Sequence, residues 1–213
     1  GGCRRASALC WMWGIAGLQP CVFNTIKMGK LVRFNFPNNI HFVTTSCYNR
    51  LPLFSSDDMK AIFIQAVIRV RNKYGFKLFG YVIMPEHVHI LIQTENDKTV
   101  SDVMREVKQM CAFNVLQILK RNKTKSLLEK LRKSTGRDTE NKYSFWKPRF
   151  YDFNIYTVKK FKEKLDYCHK NPVTRGLVND PSKWRFSSYI NYYLNDNSVI
   201  SIDPLEMPSG AQG

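Results

Sequence analysis

Residues 76–93 have the sequence FKLFGYVIMPEHVHILIQ, in which two short apolar segments flank a Pro-Glu pair. The first segment, Phe76 to Met84, and the second, Val88 to Gln93, each have the length and the aliphatic and aromatic content of a strand. The Pro-Glu pair between them suits a tight connection. This stretch therefore predicts a β-hairpin whose second strand carries the histidines of the H-V-H sequence at residues 87–89.

The sequence on either side of the hairpin predicts one more strand and two amphipathic helices. Residues 40–46 (IHFVTTS) are β-branched and aromatic, and asparagines before and after them supply turn chemistry. Apolar residues recur at helical spacing from Asp57 to Tyr74, where Gly75 is a stop signal, and again from about Thr99 to Arg121. The predicted order is strand, helix, two strands, helix.

A further strand and helix are expected towards the C-terminal end. Residues 146–152 (WKPRFYD) mix aromatics with cations, and Pro148 argues against a central strand while allowing an edge strand. The sequence from Thr157 to His169 (TVKKFKEKLDYCH) is typical of a helix. We expect this helix to end at Asn171-Pro172, because proline disfavours helical geometry in the residue before it.

The chain carries a large positive charge. Its 33 Lys and Arg residues against 17 Asp and Glu residues give a formal charge of +16. Such a field attracts polyanions, so nucleic acid is the expected partner, although charge alone leaves a membrane surface, or no specialised partner, as alternatives. Six scattered cysteines without a C-x-x-C pair argue against a zinc ribbon or a disulfide scaffold. They favour a reducing cytosol, and we expect a cytoplasmic protein.

The two ends of the chain differ from its middle. An Arg-Arg pair precedes an apolar run at residues 6–18, which has the outline of a signal peptide but is too short to span a bilayer. Because Met28 comes just before the first strand-like pattern, we interpret residues 1–27 as an extension outside a single domain of residues 28–203. We expect residues 204–213 to be a disordered tail. Without a second hydrophobic span, no integral membrane protein is expected.

A basic segment interrupts this predicted domain. From Lys120 to Arg149, eleven Lys and Arg residues accompany three acidic residues, and aliphatic residues are few. We interpret about residues 120–142 as a basic insert that forms a mobile loop. Its cations are candidates for neutralising phosphates.

His87 and His89 are candidate metal ligands. Side chains alternate along a strand, so these two project from one face, a few ångströms apart, while Val88 faces the core. Two imidazoles at that spacing suit adjacent positions on one metal ion. The alternative is that the histidines only cap the hairpin, and the H-x-H pattern by itself leaves that alternative open.

Tyr167 and Asn171 stand four residues apart at the end of a predicted helix and therefore share a face. Tyrosine is a poor nucleophile at its usual pKa of about 10, but a neighbouring cation or charge-neutralised phosphate oxygens ease its attack. The alternative is a packing role, because the chain contains 10 tyrosines. The residue pattern alone does not decide between the two.

Four blocks of sequence resemble a known family in their order along the chain. They are MPEHVHIL at residues 84–91, WKPRFY at 146–151, DYCHKNPVTRGLV at 166–178 and WRFSSY at 184–189. Together they resemble the REP-associated tyrosine transposases of the single-tyrosine HUH family, over about residues 30–195. Four ordered blocks are more specific than any one motif. The basic insert is longer than expected for compact members, and the N-terminal extension has no counterpart.

The resemblance implies an α+β fold of the ferredoxin-like or RRM-like kind, with an antiparallel sheet, helices packed on one face and the HUH motif on a central strand. By the same resemblance, His87 and His89 match the metal-binding pair, Tyr167 the nucleophile and Asn171 the polar third ligand. The implied cofactor is a divalent ion, Mg or Mn. The implied activity is nicking and rejoining of single-stranded or hairpin DNA through a covalent 5′-phosphotyrosine intermediate, by a monomer or a homodimer.

The predicted DNA contacts are basic and aromatic residues in and after the insert. Lysine and arginine neutralise phosphates, and aromatic rings stack on unpaired bases. The candidates are Lys120, Arg121, Lys123, Trp146, Lys147 and Arg149, and Arg149 is the first choice among them. The alternative is that the charges form only a solvated face and that the aromatic residue belongs to the core.

Three other functions are alternatives to an active transposase. A transposase-derived, non-catalytic single-stranded DNA-binding protein explains charge and aromatics equally well, but the intact His87, His89 and Tyr167 argue against it. An RRM-like RNA-binding module would show aromatics rather than two histidines on its strand face. A metal-dependent hydrolase without covalent chemistry would cut DNA after loss of the tyrosine. We therefore predict an active transposase.

Overall fold

The computed structural model describes residues 39–95, 98–132 and 143–205. Residues 1–27, the part of the basic insert at 133–142 and the tail from residue 206 onward lie outside the described residues. The described strands and helices are, in chain order, β1 (Ile40–Ser46), α1 (Asp57–Tyr74), β2 (Lys77–Ile83), β3 (His87–Gln93), α2 (Val100–Arg121), α3 (Lys125–Leu131), β4 (Tyr151–Ile155), α4 (Val158–Thr174) and α5 (Tyr189–Leu194). None of these helices is long and apolar enough to cross a membrane.

The four strands form one antiparallel sheet in the order β2-β3-β1-β4. β3 therefore lies between two partners, and the histidine pair is on a central strand, as predicted. β4 is an edge strand, and Pro148 comes shortly before it, where a missing backbone N–H does not interrupt the sheet. The predicted α+β fold with an antiparallel sheet is confirmed.

Helices cover both faces of the sheet. Val88, Ile90 and Ile92 of β3 point into a large core that they share with α1 and α2. Leu91 points to the opposite face, where it packs against α4. α1 and α2 pack on one face of the sheet, as predicted, and α4 packs on the other face. α4 does so through an apolar stripe, which is stabilised by burial against this second face and consists of Phe161, Leu165 and Cys168.

A glycine allows α4 to lie close to β2. The register of β2 against β3 shifts between Leu78 and Gly80, which marks a bulge. A Cβ atom on Gly80 would lie 2.7 Å from Cδ1 of Leu165, so the Leu165 side chain would have to shift to admit it. Gly80 thus permits the observed distance between the sheet and the residues that α4 carries.

α1 and α2 begin at capping side chains, and α1 ends at the predicted glycine. The side chain of Ser56 accepts a hydrogen bond from the N–H of Met59 at the start of α1, and Gly75 ends that helix with a left-handed φ of 71°. Thr99 and Asp102 form a reciprocal capping box at the start of α2. The predicted bounds of both helices are confirmed.

Two predictions for the C-terminal half are wrong. α4 does not end at Asn171-Pro172 but continues to Thr174. Pro172 removes one backbone donor near the end of the helix, and its burial offsets that loss. The insert is not a loop throughout, because α3 occupies part of it. Leu131 of α3 is fully buried and two half-buried leucines pack beside it, so helical leucine spacing overrides the polar composition.

Candidate active site

β3 brings the two histidines of the H-V-H sequence together. His87 and His89 are buried on the sheet face that α4 covers, and their Nε2 atoms lie 3.1 Å apart. Two nitrogen ligands at neighbouring positions on an octahedral ion, each about 2.1 Å from it, lie about 3.0 Å apart. The pair therefore has the spacing of two ligands of one metal ion.

Thr44 orients His89. The two residues lie directly opposite each other in the register of β1 and β3, and the Thr44 hydroxyl oxygen is 2.7 Å from Nδ1 of His89. When the Nδ1–H donates to this oxygen, the lone pair of Nε2 is available to a metal. Burial, together with nearby His87 and Lys164, lowers the pKa of His89 to about 3, so the ring is neutral near pH 7.

Glu86 and Arg175 flank the other histidine. The buried carboxylate of Glu86 accepts a hydrogen bond of 2.7 Å from the Arg175 guanidinium. The same oxygen lies 3.2 Å from Nδ1 of His87, an ion-pair distance. Burial lowers the pKa of His87, and the Glu86 carboxylate opposes this shift. The carboxylate favours a proton on Nδ1, which leaves Nε2 facing His89 available for a ligand.

α4 adds an amide to the two imidazoles. Nδ2 of the buried Asn171 lies 3.3 Å from Nε2 of His89, and its Oδ1 is buried without a hydrogen-bond partner among the described residues. Rotation of the amide exchanges the two atoms, and a carbonyl oxygen suits Mg or Mn. In the described ranges no group of three His, Cys, Asp or Glu side chains could hold a metal ion, so a third protein ligand would have to be of another residue type. The amide oxygen of Asn171 fits that position, and the residues present fit a metal held by His87, His89 and Asn171.

Tyr167 lies at the open side of this group. It precedes Asn171 by one turn of α4, and its side chain is 51% exposed. Its ring meets the ring of His89 edge to face, with centroids 5.1 Å apart, and the ring of Phe42 at 6.0 Å. Phe42 in turn stacks on His89 at 5.3 Å. Tyr167 is thus both accessible to a large substrate and adjacent to the candidate metal ligands.

The surroundings of Tyr167 include a cation and a second exposed tyrosine. Nζ of Lys164, one turn earlier on α4, lies 5.2 Å from the ring centroid of Phe42 and 5.0 Å from that of Phe153. Tyr151 is exposed at the start of β4, and its ring meets the edge of Phe42 at 6.5 Å. A positive charge and an aromatic face beside the tyrosine suit a phosphate and an unpaired base.

Sequence reasoning missed four of these residues: Thr44, Glu86, Lys164 and Arg175. Glu86 and Arg175 lie inside the blocks that carry the family resemblance, but their pairing joins residues far apart in sequence. Thr44 has no local signal, since its role depends on the register of β1 against β3. Lys164 stands at i−3 from Tyr167, and that helical spacing was a signal that could have been used.

The residues predicted to contact DNA are exposed or line a groove beside α2. Arg121, Lys123 and Lys147 are exposed. Lys120, Trp146 and Arg149 line a groove beside α2. Trp146 is only half-buried, but it packs against Phe54 and Phe63 and donates its indole N–H to the Lys108 carbonyl, so part of its role is structural.

Comparison with known proteins shows the family to which the chain belongs. The chain matches the family model described as "Transposase IS200 like" over residues 36–171. It is 26% identical over 163 residues to the REP-associated tyrosine transposase of Escherichia coli strain K12, which covers 76% of this chain and 83% of that protein. The solved structure of a REP-associated tyrosine transposase bound to a REP hairpin is similar in fold. The two structures superpose with a TM-score of 0.58 at 22% sequence identity, and the match covers 85% of this chain and 96% of the solved chain.

Proposed function

Because the chain belongs to the IS200-like transposase family, we propose that it is a metal-dependent single-strand DNA endonuclease and strand transferase with Tyr167 as nucleophile. One observation carries this proposal: the half-exposed ring of Tyr167 stands 5.1 Å from that of His89, whose Nε2 lies 3.1 Å from Nε2 of His87. A nucleophile and two candidate metal ligands thus face the same small volume. A packing role for Tyr167 explains neither its exposure nor this placement.

His87, His89 and Asn171 would hold a divalent ion, Mg or Mn. When bound, such an ion polarises a phosphate and stabilises the charge that develops during attack. Thr44 and Glu86 keep the two imidazoles in the tautomer that presents Nε2. Lys164 adds a positive charge beside the expected position of the DNA phosphate.

In the proposed reaction, the phenolic oxygen of Tyr167 forms a bond to phosphorus as the bond from phosphorus to the 3′ oxygen breaks. The phenol loses a proton, and the leaving 3′ oxygen gains one. The product is a 5′-phosphotyrosine link and a free 3′-hydroxyl. Attack of a 3′-hydroxyl on the link restores the tyrosine and rejoins the strand. One phosphodiester replaces another, so the cycle needs no ATP.

The proposed substrate is single-stranded or hairpin DNA. The solved relative that shares this fold was bound to a REP hairpin. In this chain, the exposed Tyr151 and the half-buried Lys164 next to Tyr167 suit an unpaired base and a phosphate. Lys147 and Arg149 are exposed immediately before Tyr151 and extend this basic surface.

Incubation of the protein with labelled single-stranded hairpin oligonucleotides and Mg²⁺ or Mn²⁺, followed by denaturing electrophoresis, tests the proposal. We expect a covalent protein–DNA band that disappears with EDTA and in Tyr167→Phe. Tyr193→Phe is the matched control, because Tyr193 is 59% exposed on α5 and should leave the band intact. Binding without such a band across a broad hairpin library would support the non-catalytic DNA-binding alternative. Cleavage that survives in Tyr167→Phe would indicate a water-using nuclease.

A further inference from the structure

A groove beside α2 lies outside the proposed active site. It has a volume of about 850 Å³ and runs between α2 and the segment from Tyr143 to Phe150. α2 packs on the sheet face opposite to the one that α4 covers. The proposed chemistry therefore does not account for this groove.

Aromatic side chains line the groove. Phe113 is 63% exposed in the centre of an otherwise polar stripe of α2, where an apolar side chain contributes nothing to the core. It shares the groove with the rings of Tyr143, Trp146 and Phe150. One exposed phenylalanine is ordinary, but five aromatic side chains line this groove, and Phe113 is the most exposed of them. Exposed rings of this kind form a surface on which flat molecules can stack.

Cations are interleaved with these rings. Arg105, Lys108, Lys120 and Arg149 line the same groove, and no acidic side chain is among its lining residues in the described part of the chain. Arg105 forms an ion pair with Asp102 at the surface. Because solvent screens this pair, Asp102 offsets little of the positive charge of the groove. The groove is complementary to a polyanion that also carries planar groups.

The backbone around Arg149 is held in a strained conformation. Arg149 has a φ of 64°, in the left-handed region that residues with a Cβ seldom adopt. Nζ of Lys108 donates hydrogen bonds to the carbonyls of Arg149, at 2.9 Å, and of Lys147, at 3.3 Å. These contacts tie the 147–149 segment to α2 and keep the Arg149 side chain at the groove.

The groove is connected to the active site through β4. Arg149 lines the groove, and Tyr151, two residues later, stands opposite Thr44 in the sheet. The ring of Tyr151 packs on Phe42, which also contacts Tyr167. A ligand long enough to follow residues 149–151 around the sheet edge reaches both places, whereas a single phosphate or nucleotide does not.

We propose that this groove binds the unpaired DNA strand adjoining the bond that Tyr167 attacks. The inference rests on the proposed function for the identity of the strand. Bases stack on Phe113 and its neighbouring rings, and Arg105, Lys120 and Arg149 neutralise the backbone. The occupant is single-stranded DNA rather than a duplex, because stacking on rings requires unpaired bases.

Fluorescence anisotropy with a labelled oligothymidylate of about 12 nucleotides tests this inference. The full chain carrying Tyr167→Phe is the parent, so that no cleavage occurs. We expect Phe113→Ala to raise the Kd about tenfold and Lys120→Gln to reduce the slope of log Kd against log salt by about 0.7. Leu194→Ala and Lys183→Gln are matched controls, because they remove an exposed apolar group and an exposed cation that do not line the groove. Neither control should change the Kd more than twofold.

A second probe separates stacking from a general effect on folding. The parent should bind the oligothymidylate more tightly than an abasic strand of equal length, and Phe113→Ala should reduce this preference. Unchanged affinity in Phe113→Ala and Lys120→Gln, or an unchanged preference over the abasic strand, overturns the inference. In chains that retain Tyr167, the covalent band at saturating DNA should form equally with and without the Phe113→Ala substitution. Absence of the band in both chains would contradict the proposed function, while the anisotropy would still decide on the groove.

Discussion

The hydroxyl oxygen of Thr44 on β1 lies 2.7 Å from Nδ1 of His89 on β3. The two residues face each other in the strand register, and both are held by the central ladder of the sheet. A proton fixed on Nδ1 leaves Nε2 as the only ring nitrogen able to bind a metal. The sheet thus sets the direction of the imidazole, and Nε2 is available to a metal when Nδ1 carries the proton.

Thr44→Val should weaken metal binding while leaving the fold intact. Valine keeps the shape of threonine and removes the hydrogen-bond partner of Nδ1, so we expect the Kd for Mn²⁺ to rise roughly 10- to 100-fold. The free energy of unfolding should fall by only about 1 kcal/mol. Calorimetric titration with Mn²⁺ and urea denaturation measure the two quantities.

Thr45→Val provides the control for this substitution. Thr45 is the next residue of β1 and faces the other side of the sheet, where its buried hydroxyl has no hydrogen-bond partner among the described residues. Its replacement should leave metal affinity unchanged and be neutral or stabilising. Equal Mn²⁺ affinities in both valine variants would refute the role assigned to Thr44.

Arg175→Gln should destabilise the protein mainly through Glu86. The Glu86 carboxylate is buried and bonded to Arg175, whose own side chain is 48% exposed. Loss of the guanidinium leaves a buried charge without that partner, and partial solvent access limits the loss to about 1–2 kcal/mol. Urea denaturation of Arg175→Gln, Glu86→Gln and the double variant measures the coupling. The double variant should be no less stable than Arg175→Gln alone, and strict additivity would contradict this account.

Local signals explain why much of the fold was predictable. β1, α1 and α2 are bounded by turn residues, caps and a C-terminal glycine, all of which act within a few residues. α4 shows the limit of such signals. Proline at 172 predicts a helix end, but burial against the sheet keeps the helix intact for another turn. The packing of α4 on the second face of the sheet also depends on contacts between segments that are distant in sequence.

The candidate site likewise combines features that local sequence predicts with features that depend on the tertiary fold. Alternation along a strand and the i, i+4 spacing of a helix were sufficient to place His87 beside His89 and Tyr167 near Asn171. The partners that orient the histidines were not predictable, because each depends on contacts between distant segments. Glu86 and Arg175 are 89 positions apart, and Thr44 is 45 positions from His89.

Gly80→Ala should impair catalysis more than stability. The added methyl group would lie 2.7 Å from Cδ1 of Leu165, and because Leu165 is buried we expect its shift to move α4 away from β2. Overpacking of this kind costs roughly 1–3 kcal/mol. Because α4 carries Tyr167 and Asn171, the same displacement separates them from His87 and His89. We expect the rate of covalent-band formation to fall at least about tenfold under conditions where the protein remains folded.

Leu165→Ala in the Gly80→Ala background tests whether this contact is the cause. The shorter side chain removes the clash, so the double variant should form the covalent band faster than Gly80→Ala alone. Leu165→Ala by itself should lower stability, since Leu165 is part of the second core. A Gly80→Ala protein that reacts at the parental rate would contradict the proposed dependence of the site on the α4 position.

The metal-free protein should lose stability between pH 6.5 and pH 4. Burial, partly opposed by Asp166, lowers the pKa of His169 to about 4, against about 6.5 in the unfolded chain. The unfolded state therefore binds the proton first, so this contribution is complete above pH 6.5 and is lost as pH falls through 4. The free energy of unfolding should fall by about 3 kcal/mol because of His169, and protonation of His89 should lower it further.

His169→Gln separates the two histidines, because glutamine can still donate to the Ser188 hydroxyl that accepts from His169 Nε2 at 2.9 Å. Urea denaturation at pH 7.5 and pH 4.5 should show a smaller decrease in the variant than in the parent, by about 2–3 kcal/mol. Parallel decreases in both proteins would assign the acid sensitivity to other groups. His169 would then have no measurable part in the pH dependence of the free energy of unfolding.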